Sequence, residues 1–213
     1  MNMLKSLYTL VLAATVLASP LDFSDVNVGS TSPAPTSVTI KNLVYGGTGC
    51  PQGTVGSFIS PDRTTFTLIF DRFVASIGPG VAVTENRKNC QLNIELQYPG
   101  GFQYSIASTM YRGYVDVDQG VSARQQNTYY FSGQSNQLTS GTDFKGPRAG
   151  DYSIVDDLPL TSTIWSPCGA TTALNINSQV RLTATNKAGS GVITDDSIDG
   201  KITFQVGVQW QAC

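Results

Sequence analysis

The feature that most constrains this fold is a period-two alternation of apolar and polar side chains that recurs along the chain. From Cys90 to Tyr98, Leu92, Ile94, Leu96 and Tyr98 share one parity, and Gln91, Asn93, Glu95 and Gln97 the other. Leu174 to Ala184 sets Leu174, Ile176, Val180, Leu182 and Ala184 against Asn175, Asn177, Gln179, Arg181 and Thr183. Ile202 to Trp210 repeats the pattern, and Phe66, Leu68 and Phe70 form a shorter version. Successive strand side chains point to opposite faces, so each segment buries one face and wets the other, as in antiparallel sheets. Weaker strand candidates lie near 38–45, 55–59, 102–107, 111–117, 128–132, 151–155 and 161–165. Gly, Pro and Ser clusters at 78–80, 99–101, 146–147 and 188–191 punctuate them. About ten strands with these turn signals predict an all-β fold, an antiparallel two-sheet sandwich with a jelly-roll-like winding.

The first residues set the compartment. Lys5 supplies a short positive region, Leu7 to Leu17 an apolar stretch, and Val16-Leu17-Ala18 small or modest side chains at a cleavage site. Residues 1–18 therefore read as a secretory signal peptide. The stretch is too short for a membrane anchor, which needs about 20 apolar residues. Residues 19–37 are rich in Ser, Thr and Pro and read as a flexible lead, and 38–213 as a single β-sandwich domain. The expected location is secreted or extracellular, including the cell wall, with no membrane insertion.

Export sends the four cysteines, Cys50, Cys90, Cys168 and Cys213, into an oxidising compartment, where disulfides form. Three pairings are open to four cysteines. Cys50–Cys90 with Cys168–Cys213 closes the two shortest loops and is the favoured one. Each bridge is worth about 4 kcal/mol in the chain-entropy account. Zinc would need closer ligands, and a nucleophilic thiol would need a base beside it.

That base is missing, because the chain has no histidine at all. Ser-His-Asp and Cys-His hydrolases and histidine-ligated metal enzymes are thereby excluded. Carboxylate chemistry survives, as in glycoside hydrolysis by two facing acids. Asp116 and Asp118 stand two apart and would share a face on a strand, but most such pairs are simply solvated. Asp195, Ser197 and Asp199, followed by Gly200, match the opening of a calcium loop. The bidentate Glu that closes such a loop is absent, Val206 standing in its place, and an Asp-rich turn before a strand is the commoner meaning. Calcium is the one cofactor this leaves open.

Charged residues make up 13% of the chain and the net charge is −2, with Arg87-Lys88 the largest basic run. Nucleic acid demands a concentrated basic patch and is not an expected partner. The segment Asn86 to Asn89, the one compact basic spot, has two readings, a site for an anionic glycan and a solvated turn, with the turn favoured. Aromatic residues are interleaved with amides and Arg112 in the middle third, and this mix suits sugars, because rings stack on apolar sugar faces while amides bond hydroxyls. Tyr111, Arg112, Tyr114, Tyr130 and Trp165 are the candidate binding residues, against the alternative that they serve packing.

The order GTGCPQG (47–53), IGPG (77–80), RKNCQLNIELQYPGGFQYSI (87–106), YRGYV (111–115), YYFSG (129–133), FKGP followed by GDY (144–152), WSPCG (165–169), LNINSQVRL (174–182) and W-x-x-C (210–213) resembles a family of small secreted proteins abundant in filamentous fungi. That family is catalogued as domain of unknown function 4360. The resemblance implies secretion, disulfides and a β-rich fold, and brings no catalytic residue or ligand with it. The reading that follows is a non-catalytic extracellular or cell-wall-associated binding protein, with glycan the favoured ligand. The alternatives are a carboxylate-dependent glycan-active hydrolase and a secreted factor that recognises another protein. A groove lined by outward tyrosines favours binding, two facing carboxyls favour hydrolysis, and a flat amide-rich surface favours a protein partner.

Overall fold

The computed structural model describes residues 35–158, 164–169, 171–195 and 204–213. Among these, twelve strands form two antiparallel sheets. The five-stranded sheet runs β1(Thr39–Gly46), β5(Arg87–Gln97), β10(Leu174–Ala184), β7(Val121–Phe131), β8(Gln137–Lys145). The seven-stranded sheet runs β2(Val55–Ile59), β3(Thr65–Phe70), β12(Phe204–Ala212), β6(Phe102–Val117), β11(Gly191–Thr194), β4(Val74–Ile77), with β9(Arg148–Asp157) along the other edge of β6. Seven of the eleven connections cross between the sheets, so both sheets draw on the whole chain.

The alternation read from the sequence sets what goes inside. Leu92, Ile94 and Leu96 of β5 and Leu174, Ile176, Val180 and Leu182 of β10 are all buried against Phe66, Leu68, Phe70 and Val206 of the facing sheet. At one end of the core the rings of Tyr98, Tyr104, Phe131 and Trp210 meet edge to face, with centroids 5.0–5.6 Å apart for Tyr98–Trp210, Tyr104–Phe131 and Tyr98–Tyr104. Such edge contacts satisfy the ring quadrupoles while burying large apolar areas.

β7 departs from this rule. Its inward positions include Gln125 and Asn127, both fully buried, and their side-chain amide atoms find no hydrogen-bond partner among the described residues. Register places Ser140 and Thr142 of β8 beside them. The inner face is therefore polar towards the β8 edge. Across it, the Tyr111 hydroxyl meets Thr142 Oγ1 at 3.1 Å and donates to Asp156 Oδ2 at 3.2 Å. The Tyr129 hydroxyl faces those of Thr109 and Ser140, although none of the three reaches hydrogen-bond geometry.

Both disulfides form in the favoured pairing, Cys50–Cys90 and Cys168–Cys213. The first is buried and ties the segment after β1 to β5, and the second is exposed and clasps the end of β12. Arg87, expected in a solvated turn, instead opens β5, after a single 3-10 turn at Val83–Asn86. The turn reading failed because Asn86 to Asn89 carries the composition of a loop, while pairing with β10 and the Cys90 bridge extends the strand back to Arg87.

Candidate functional site

The outer face of the five-stranded sheet carries the side chains of opposite parity to the core. Register sets them in rungs across neighbouring strands. One rung reads Val44, Asn93, Asn175, Tyr130, Gln137, and the next Gly46, Gln91, Asn177, Thr128, Thr139. A third holds Asn89, Gln179, Gln126 and Gly141, and a fourth Arg87, Arg181, Arg124 and Asp143. Hydroxyls and amides dominate because the chain has few charges with which to wet a surface this large.

These amides brace one another. Asn93 Nδ2–H donates to Asn175 Oδ1 at 3.0 Å, and Asn175 Nδ2–H donates to Ser132 Oγ at 2.9 Å. On the next rung Asn177 Nδ2–H donates to Gln91 Oε1 at 2.9 Å, and the hydroxyls of Thr128 and Thr139 meet at 3.1 Å. An amide side chain can make about four hydrogen bonds, so the half-buried Gln91, Asn93 and Asn177 keep further donors and acceptors in a fixed orientation, whereas Asn175 is buried and spends its Nδ2 hydrogens on Ser132 and the Ala173 carbonyl. Ordering is already present before any ligand arrives, which lowers the entropic cost of binding. Tyr130 stands half-buried on this lattice.

Two carboxylates of the face are engaged by cations. Glu95 lies 3.7 Å from Lys41 Nζ, and Asp143 Oδ2 lies 2.6 Å from Arg124 Nη1. Beyond the β1 edge, between β1 and β2, runs a groove of about 540 Å³ lined by Val38, Ile40, Leu43, Phe58 and Ile59 with Thr39, Lys41, Asn42 and Ser57. The ring of Phe58 is 52% exposed there, unusual for so large an apolar group.

The residues singled out from sequence do not assemble into one site. Tyr111 points inward and is fully buried. Arg112 and Tyr114 lie on the outer face of the seven-stranded sheet, Tyr130 on the outer face of the other sheet, and Trp165 opposite Ser105 beside β6. Asp195 is buried, its carboxylate 3.4 Å from both the Tyr152 hydroxyl and Ser178 Oγ, while Ser197 and Asp199 lie outside the described residues. Asp116 faces outward near the end of β6, but Asp118 follows the strand and accepts the Ser190 N–H at 2.9 Å, so the pair does not share a strand face. The amide lattice and the arginine rung were missed as sites because parity shows which residues are wet but not which strands are neighbours.

Solved structures share only weak likeness with this chain. A carbohydrate-binding module, TmCBM61, solved with β-1,4-galactotriose is 10% identical at a TM-score of 0.25, covering 82% of this chain and 90% of its own. The enzymatically active domain of tailspike protein 4 of bacteriophage CBA120 is 16% identical at 0.27, covering 82% of this chain and 20% of its own. Such scores carry no argument about either fold or ligand. An uncharacterized secreted protein of Arthroderma benhamiae is 55% identical over 192 residues, spanning 90% of this chain and 78% of that protein. Residues 36–213 match the family described as domain of unknown function DUF4360. With that match and this relative, the disulfide-bonded β-sandwich is a secreted protein that belongs to the DUF4360 family.

Proposed function

We propose that this protein is a non-catalytic extracellular or cell-wall-associated protein that binds a glycan across the outer face of its five-stranded sheet. One observation supports this above the rest: the amides of Asn93, Gln91 and Asn177, with Asn93 braced on the buried Asn175, present fixed donors and acceptors beside the Tyr130 ring. Sugar hydroxyls need both functions at each contact, and a half-exposed ring offers the apolar sugar face a surface. The two carboxylates paired to Lys41 and Arg124 fit a role in binding better than one in hydrolysis.

The test is binding and turnover by the purified mature protein on a panel of glycans and cell-wall polysaccharides. Adding or chelating calcium in the same assay examines the half-motif from Asp195 to Asp199. At least one polysaccharide should bind without release of product, and Asn93→Ala with Asn177→Ala should weaken it about thirtyfold, each lost amide contact costing about 1 kcal/mol. Binding untouched by this double variant would remove the sheet face from the proposal. A protein partner is the second reading, favoured by the exposed apolar groups of Val44 and Phe58 near the β1–β2 groove. Failure to bind any glycan would leave that reading in place.

A further inference from the structure

Resting on that glycan-binding reading, we infer that the face recognises an acidic glycan, and that Arg87, Arg181 and Arg124 bind its oxyanion. Among the described residues these three arginines form a row of like charge across three neighbouring strands. Arg181 of β10 pairs directly with Arg87 of β5 on one side and with Arg124 of β7 on the other. All three side chains are exposed on the same outer face. Strands in a sheet lie about 4.8 Å apart, so the backbone positions of the three arginines stand abreast within about 10 Å.

Like charges directly opposite each other in a sheet are destabilising, and here two such pairs adjoin. Among the described residues a local acid pairs with Arg124 alone, and Arg87 and Arg181 have no carboxylate partner. Asp143 at the end of the rung takes Arg124, and Glu85, two residues before Arg87, is held by Lys88 at 2.8 Å. Lys145, one rung further along β8, adds another cation to the same face. Arg181, in the centre, has no ion pair among the described residues. Arg87 is aimed rather than neutralised, since its Nε–H and Nη2–H both donate to Gln179 Oε1, at 3.1 and 2.9 Å.

Guanidinium is the cation that suits this task. Its planar fork of donors meets a carboxylate or phosphate with two parallel hydrogen bonds, which an ammonium group does not. The rung borders the amides of Gln179 and Gln126, so one ligand can place hydroxyls on amides and an oxyanion on the arginines. The shared chemistry is an oxyanion carried on a sugar: the carboxylate of a uronic acid, or a sulfate or phosphate ester.

The experiment is titration of the mature protein with a polyuronate, a sulfated polysaccharide, a phosphorylated mannan, and the carboxyl-reduced form of the same polyuronate. At least one acidic polymer should bind about tenfold or more tightly than the neutral form, and the gap should close as salt rises from about 50 mM to about 200 mM. The polymer that gains identifies the oxyanion. Arg181→Gln should remove that gain and raise the melting temperature as the repulsion is relieved, Arg181→Lys should restore only part of the gain, and both should leave neutral-glycan affinity unchanged. Equal affinity for acidic and neutral polymers, or an equal loss on both in Arg181→Gln, would overturn the inference while leaving neutral glycan binding standing. No binding to any polymer would instead remove the glycan reading and this inference with it.

Discussion

Single residues hold the two sheets in register, and some tolerate no exchange. Gly113 of β6 lies opposite Tyr152 of β9, and a Cβ there would meet the Thr194 carbonyl oxygen at 2.0 Å and the Tyr152 ring at 2.7 Å. The Tyr152 ring covers the glycine and its hydroxyl donates to that same carbonyl at 2.6 Å. Gly113→Ala should therefore cost about 3 kcal/mol, at the upper end of overpacking, read from urea unfolding of the secreted protein. A change below about 0.5 kcal/mol would show that β11 can step aside. The two disulfides should differ in the same way. Cys168–Cys213 is exposed and Cys50–Cys90 buried, so limited reductant followed by alkylation and mass mapping should label the first pair while the second stays intact in the folded protein. Labelling of both pairs together would contradict that order.

Among elements, legibility followed the purity of the inward face. β5 and β10 were readable because every second residue is apolar or small, and β10 starts and stops where the alternation does. β7 was readable only near 128–132 and β8 not at all, because Gln125, Asn127, Ser140 and Thr142 occupy inward positions and break the pattern that periodicity detects. β6 read as two strands because a bulge opposite Gly207 and Val208 inserts Ala107, and inward parity moves from Tyr104 and Ile106 to Thr109 and Tyr111. Position in the sheet, not sequence, then sets local stability. β10 is hydrogen-bonded on both sides along its length, whereas β2 and β4 are short edge strands paired on one side. Hydrogen exchange should be slowest in β10 and fastest in β2 and β4. Protection of β2 equal to that of β10 would mean its outer edge is covered by something else.

On the scale of the whole molecule, burial links the fold to pH. Desolvation pushes the hydroxyls of Tyr104, Tyr129, Tyr111 and Tyr152 well above the ordinary tyrosine range, with Asp156 and Asp195 adding to the shift on the last three. A raised pKa in the folded state means the unfolded chain loses its protons first, at about pH 10. Stability is thus unaffected by these groups below that pH and falls above it. Ultraviolet titration should show these four tyrosines ionising only together with alkaline unfolding, and their smooth titration in the folded state would sink this account. The secretory route, the all-β class, the oxidised state of the cysteines and the wet or dry parity of the strongest strands were all legible in the chain alone. Those properties follow from composition and from the two-residue repeat of an extended backbone, both of which are local. Which strands lie side by side, and with them which cysteines pair, came from packing of the whole core. Arg87, Arg124 and Arg181 are far apart in the chain, and the order β5, β10, β7 sets them abreast, because strand neighbours are chosen by packing of the whole core.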